Sequence, residues 1–193
     1  MITKITIDAS KIDTQERKDK LEIVAQEMHR VLNSTIFRDK VMLMKKHGER
    51  SKWKDKTNLE IYNHIMSGQE VLNGEEVDYE LDIFVDDYFS LKRVIGYTYP
   101  SIKTIFVNTR YFDKRNTRDI GSNILHETGH KLGFSHDFRA TKDRPYSICY
   151  QLNKVYEECH NILMGTVISK VKVCHRSWKT LWLKKYCYWI DAR

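Results

Sequence analysis

Three histidines, one glutamate and two glycines share the eleven residues from His126 to His136, "HETGHKLGFSH", and their order suits metal chemistry. His126 and His130 are four apart. On a helix they share one face, about 6 Å apart along the axis, so their imidazoles can converge on one ion. Glu127 sits beside the first histidine and can reach a water on that ion without ligating it. Gly133 can take the left-handed conformation that ends a helix and turns the chain back. His136 can then return as a third ligand from outside the helix. Three neutral imidazoles leave one coordination position open, the arrangement of a catalytic zinc rather than a closed structural one. Zinc lowers the pKa of its water to about 7, and Glu127 can take that proton during attack on a carbonyl. Glu127 can then pass the proton to a leaving amine, while the metal stabilises the developing oxyanion.

The short form H-E-x-x-H fixes only three positions and is weak evidence by itself; Gly133 and His136 at the right offsets make it specific. The whole stretch matches the metzincin signature H-E-x-x-H-x-x-G-x-x-H at every fixed position. The chain therefore resembles a clan of zinc endopeptidases. The resemblance implies a single Zn2+ held by His126, His130 and His136, with Glu127 as general base. Asp137, directly after the third histidine, is similar to the reprolysin (adamalysin) branch, where an aspartate there braces the lower lobe. Gly129 before the second histidine is more like the matrixins, so the family stays open. The clan also has a methionine turn beneath its zinc. Met164, in "CHNILMGT", is the candidate, since the other methionines precede the motif. Where some members carry a tyrosine as an extra ligand two residues later, this chain has Thr166, which favours a three-histidine site.

The spacing offers two rival ligand sets. A downstream glutamate, Glu157 or Glu158, could be the third ligand, but Gly133 would then have no role. Asp137 misses the ligand register by one residue. His29, His47, His64, His160 and His175 match no ligand spacing and read as surface or packing residues.

The elements that must position these residues can be traced along the chain. "ITKITID" alternates as a first strand. Asp13 with Glu16 reads as a capping box opening a helix to about Leu32, with Leu21, Val24, Met28 and Val31 or Leu32 on one face. Phe37, Val41 and Met44 favour a short second helix, and residues 45–56 read as a polar loop. "NLEIYNHIMSG" reads as a helix capped by Asn58 and stopped by Gly68. "DYELDIFVDDYF" has strand periodicity. Val94 to Tyr99 and Thr104 to Asn108 read as antiparallel strands joined at Pro100-Ser101. The next helix starts near Asn116 or Thr117 and carries the motif. "PYSICYQLNKVYEEC" has helical spacing, and "VCHRSWKTLWLKKYCYW" reads as a last helix with Trp178, Leu181, Trp182 and Tyr186 along it. Its aromatic and basic face could meet a membrane, but core packing with exposed lysines is the preferred reading.

The expected fold class is α/β (α+β), and the resemblance makes it metzincin-like. One catalytic domain, 1–193, would have an upper subdomain (about 1–136) built on a mixed twisted sheet with helices. A mostly irregular and helical lower subdomain (about 137–193) would face it across the cleft. In the resembling enzymes an edge strand above the zinc pairs with an extended peptide. Gly96, Tyr97, Thr98 and Tyr99 take that place here, with Gly96 permitting close backbone approach. Val167 and Ile168, in "GTVIS", would form the wall of the pocket for the residue after the scissile bond.

At 193 residues, with 41% hydrophobic and 31% charged residues, a globular domain with a real core is expected. No run is long enough to span a membrane. The start has no apolar block and is not a signal peptide, so the protein stays in the cell or follows a removed leader. Four cysteines and a protease-like site lean the other way, toward secretion. The net charge of +7 reads as a solvated basic surface, and no nucleic-acid recognition motif is present. Cys149, Cys159, Cys174 and Cys187 form no C-x-x-C pair, which disfavours a structural zinc ribbon. Within each expected helix the two cysteines lie about 15 Å apart. Any disulfide must then link the two helices, Cys159 with Cys174 being the more useful brace. The expected protein is a monomeric zinc metalloendopeptidase acting on protein or peptide substrates. Its rivals are a non-catalytic peptide-binding module on the same scaffold and a basic nucleic-acid binder with a structural metal.

Overall fold

A computed structural model describes residues 1–74 and 76–165, and the backbone of 171–176 and 185–190. The described residues form a mixed α/β structure with six α-helices and a four-stranded mixed sheet. The chain divides into two compact units, Met1–His160 and Asn161–Arg193.

The first unit starts with β1 (Lys4–Asp8), α1 (Gln15–Leu32), α2 (Thr35–Met42) and α3 (Asn58–Ser67). The caps of α1 and α3 follow local chemistry, each one residue from where the sequence suggested. Thr14, not Asp13, caps α1, its side chain accepting from Arg17 N–H. Thr57, not Asn58, caps α3 in a reciprocal capping box with Glu60. Asn58 instead donates to the carbonyls of Met42 and Met44, tying α3 to the end of α2. Gly68 ends α3 in the left-handed conformation, as expected. The expected loop at 45–56 contains a 3-10 turn at Lys52–Asp55.

Then come β2 (Glu80–Tyr88), β3 (Gly96–Tyr97), β4 (Thr104–Asn108), α4 (Thr109–Phe112), α5 (Thr117–Lys131) and α6 (Ile148–Leu163). The sheet order is β1-β2-β4-β3. β1 and β4 run parallel to β2, whereas β3 pairs antiparallel with β4, Gly96 opposite Val107 and Tyr97 opposite Phe106. The expected strand 94–99 is thus a two-residue edge strand. α1 packs against both β1 and α5, and its buried face of Leu21, Val24, Met28, Val31 and Leu32 is the one its spacing specified. Each such side chain contributes roughly 1.5–3 kcal/mol on burial. Leu81, Ile83 and Val85 of β2 and Ile120, Ile124 and Leu125 of α5 complete the core behind the motif. Among the described residues no helix is long and apolar enough to cross a membrane.

α6 runs into the second unit, which also contains β5 (Val171–Arg176) and β6 (Lys185–Ile190), paired antiparallel. This overturns the expected last helix. Val171, Val173, Tyr186, Tyr188, Trp189 and Ile190 are strand formers, and cross-strand pairing prevails over the helical spacing of a few aromatic residues. Cys174 lies opposite Cys187 in the register, so the separation that kept these two apart on one helix does not apply. Trp178, Leu181 and Trp182 lie outside the described residues.

Candidate metal centre

α5 is capped by Asn116, whose side chain accepts from Asp119 N–H. It ends in a Schellman turn. Gly133, at φ +90°, donates to His130 O at 3.0 Å, and Phe134 N–H donates to Gly129 O at 3.0 Å. The turn does what the sequence suggested, reversing the chain so that His136 returns to the face carrying His126 and His130. Phe134 anchors it, only 1% exposed and packed edge-on against Trp53 and His64.

One ligand nitrogen from each of the three histidines lies within 4.8 Å of the other two. Each ring is oriented through its Nδ1. His130 Nδ1 faces Phe134 O and His136 Nδ1 faces Asp137 O, both at 3.0 Å. A carbonyl only accepts, so both Nδ1 atoms carry the proton. His126 Nδ1 lies 2.9 Å from Asn153 Oδ1 on α6, which sets the same tautomer. Each Nε2 is left with a lone pair. Burial first, then the nearby His130 and His136, depress the pKa of His126 to about 3. Burial is also the main cause of the lowered values of His130 and His136. The rings are therefore neutral, the form that binds metal.

His126 Nε2 and His136 Nε2 are 3.3 Å apart. With neither carrying a proton, two lone pairs face each other at a distance that a cation between them would stabilise. Bonds of about 2.0–2.1 Å in a tetrahedral site separate adjacent nitrogens by about 3.3–3.4 Å. The three histidines could therefore hold a metal ion, with His126 and His136 already at the spacing of adjacent ligands in such a site.

Glu127 is 6% exposed and lines the same cleft. Burial pushes its pKa up to about 7, opposed by a hydrogen bond from Thr98 N–H. The segment after β3 is thereby joined to the motif helix. Gly96, Tyr97, Thr98 and Tyr99 all line the cleft, a cavity of about 470 Å³. Gly96 is needed for a different approach from the one expected: a Cβ there would meet Asn123 Oδ1 of α5 at 2.6 Å and Phe106 O at 3.0 Å. Buried Asn108 positions the edge strand, bonding Ser90 and Val94 through its side chain and Ile95 O through its N–H. A larger groove of about 770 Å³ lies between β1 and α1 but gathers no comparable set of ligands.

Several partners of the motif had no sequence signature. Asn153 and Tyr150 come from α6, three residues apart on one helical face. The Tyr150 ring lies 4.7 Å from that of His126 and 4.9 Å from that of His136. Cys149 Sγ is 3.6 Å from His130 Nδ1, and full burial drives its pKa upward, so it is a neutral packing thiol. Cys149 and Cys159 are both free. Glu49, from the stretch read as a polar loop, is buried. Its Oε1 accepts from Ser51 N–H, Ser51 Oγ–H and Ser135 N–H at 3.1, 2.7 and 2.6 Å. Its Oε2 accepts from Ile148 N–H, at the start of α6, at 3.1 Å. Arg50 then pairs with Asp137 at 2.7 Å, so residues on both sides of His136 are held by this one loop.

Met164 stands half-buried in the second unit, in the turn after α6 and before Gly165 at φ +66°. Val167 and Ile168 lie outside the described residues, as does Thr166. His64 stacks on Trp53 and bonds Leu132 O, and His160 pairs with Glu27; both are packing residues, as expected. Compared with known proteins, the chain matches no family model, no curated protein and no solved structure.

Proposed function

We propose that the chain is a zinc-dependent metalloendopeptidase of the metzincin type. The observation that carries this reading is the convergence of three neutral imidazoles, tautomers set, on one point beside a buried carboxylate. His126, His130 and His136 would hold the ion through Nε2. When bound, zinc supplies Lewis acidity and a water of lowered pKa. Asn153, Phe134 and Asp137 keep the three rings in place through their Nδ1 protons, the usual role of partners behind metal ligands. Glu127 accepts a proton from the attacking water and delivers it to the departing amine nitrogen. Its carboxylate has no cation partner among the described residues, which suits a group that must change protonation state. A peptide would lie extended along β3, hydrogen-bonded to the free edge of that strand. Met164 would be the methionine of the Met-turn, and the protein would act as a monomer.

A module that only binds peptides would use the same edge but has no need of a buried carboxylate beside the metal. Zinc analysis with peptide-library cleavage, on wild type and Glu127→Ala, separates the readings. About one zinc per chain is expected in both proteins, with cleavage only by wild type. Equal cleavage by both, or no zinc in either, would overturn the proposal.

A further inference from the structure

The metal-centre cleft contains a cation that the proposed chemistry does not use. Arg144 follows the loop after the third histidine and lines the cleft with His130, His136 and Tyr150. Its guanidinium lies over the Tyr150 ring, 5.3 Å from the centroid. Tyr150 in turn touches the rings of His126 and His136, so the charge stands one aromatic ring away from the metal ligands. Nη1 donates to Phe138 O at 3.1 Å, which fixes the head of the side chain. Nε is covered and has no acceptor. Among the described residues Arg144 makes no ion pair, although Arg17, Lys40, Arg50 and Lys131 each have one. A held guanidinium without a carboxylate partner, its Nη2 neither covered nor hydrogen-bonded, suits an anion from outside the chain.

The charges around the cleft agree. Among the described residues its lining has a second arginine, Arg93, and only one carboxylate, Glu127, which is the proposed proton carrier. The imidazoles are neutral, so a divalent metal would make the cleft more positive still. Tyr150 packs against the guanidinium, and Nη2 with the second N–H of Nη1 leaves an end-on fork that suits a carboxylate.

We infer that Arg144 is a specificity-determining residue that receives a substrate carboxylate, so that the preferred substrates are acidic peptides. This rests on the peptidase reading and adds a substrate class to it. The carboxylate can come from an Asp or Glu side chain near the scissile bond or from the C-terminus of a short peptide.

Binding tests this apart from turnover. Zinc-loaded Glu127→Ala protein would be titrated with fluorescent peptides, capped at both ends, in which one Glu is scanned along an otherwise uncharged sequence. Each would be compared with its Gln counterpart. A second set, uncharged within, would compare a free C-terminal carboxylate with the amide. A charge-assisted hydrogen bond to a desolvated group corresponds to about 10- to 100-fold in affinity. That preference is expected at one Glu position, or for the free C-terminus, and should collapse when Arg144→Met is added. Arg144→Lys, which keeps the charge but loses the fork, should fall between. Equal binding of Glu and Gln peptides and of free and amidated ends overturns the inference, as does a preference that survives Arg144→Met. Cleavage of library peptides by wild type with no preference for an acidic residue or for a free C-terminus would sink the inference and leave the peptidase reading standing. Absence of zinc and of all cleavage would sink both.

Discussion

Glu49→Ala probes how the candidate metal centre is held together. The Glu49 carboxylate accepts four hydrogen bonds, three of them from backbone N–H groups of Ser51, Ser135 and Ile148. Truncation leaves Ser135 and Ile148 N–H without their acceptor across long sequence separations, while Ser51 can find other partners near its own turn. A buried donor left unmade costs about 1–3 kcal/mol, so two cost about 2–6 kcal/mol. Water entering the space would lower this, and about 3 kcal/mol is expected. Glu49→Gln keeps one carbonyl oxygen but turns an amide N–H toward one of the donors, which gives about 1–3 kcal/mol. Ser135 directly precedes His136, so loss of its anchor should also loosen the third ligand. A 10- to 100-fold fall in zinc affinity is expected for Glu49→Ala. Urea denaturation of chelator-treated protein reads the first effect, and competition with a chromophoric chelator reads the second. A folded Glu49→Ala protein with zinc affinity within about twofold of wild type would refute the reasoning.

Lys131 and Glu70 form an ion pair at 2.8 Å with side chains 2% and 8% exposed. Lys131→Met alone should destabilise by about 3–5 kcal/mol, and adding Glu70→Leu should recover much of that in a double-mutant cycle; additive losses in urea midpoints would contradict it. Asn153→Ala removes the acceptor of His126 Nδ1–H and should weaken zinc binding about 10-fold or more with little change in fold by circular dichroism. The Glu60 carboxylate, bonded by Thr57 N–H first and by Lys56 and Thr57 side chains next, is lowered from 4.5 to about 2. A depressed pKa contributes stability that is fully present above the unfolded value and is lost as pH falls through the folded one. The deficit of Glu60→Gln in urea midpoint should therefore be constant above about pH 5 and shrink from pH 4.5 toward 2; a deficit independent of pH would exclude this source.

The helical offset of His126 and His130, the left-handed turn at Gly133 and the amphipathic face of α1 were all legible because each is local. Backbone geometry makes i and i+4 neighbours whatever the rest of the chain does. Caps were legible only to within one residue, since Asp13 and Thr14, or Thr57 and Asn58, have similar capping chemistry and tertiary contacts choose between them. Asn58 gave up its cap position to bond Met42 and Met44. At the C-terminus the same local reasoning failed. Tyr186 fits a helical face and a strand equally well, and the pairing of Cys174 with Cys187 depends on a partner strand that no window of helical length contains.

The order of residues from His126 to His136 was enough to specify three histidines that could hold a metal ion and the turn that brings them together. It could not say what would orient the rings or fill the cleft around them. Asn153 stands 27 residues from His126 and Glu49 stands 86 from Ser135. Tyr150 reaches the cleft because α6 packs against the motif helix, and Arg144 because the turn before α6 lies over Tyr150. Such contacts have no periodicity to read, because they are selected by which surfaces meet when the core closes, and hydrogen-bond partners are satisfied only once that packing has brought them within reach.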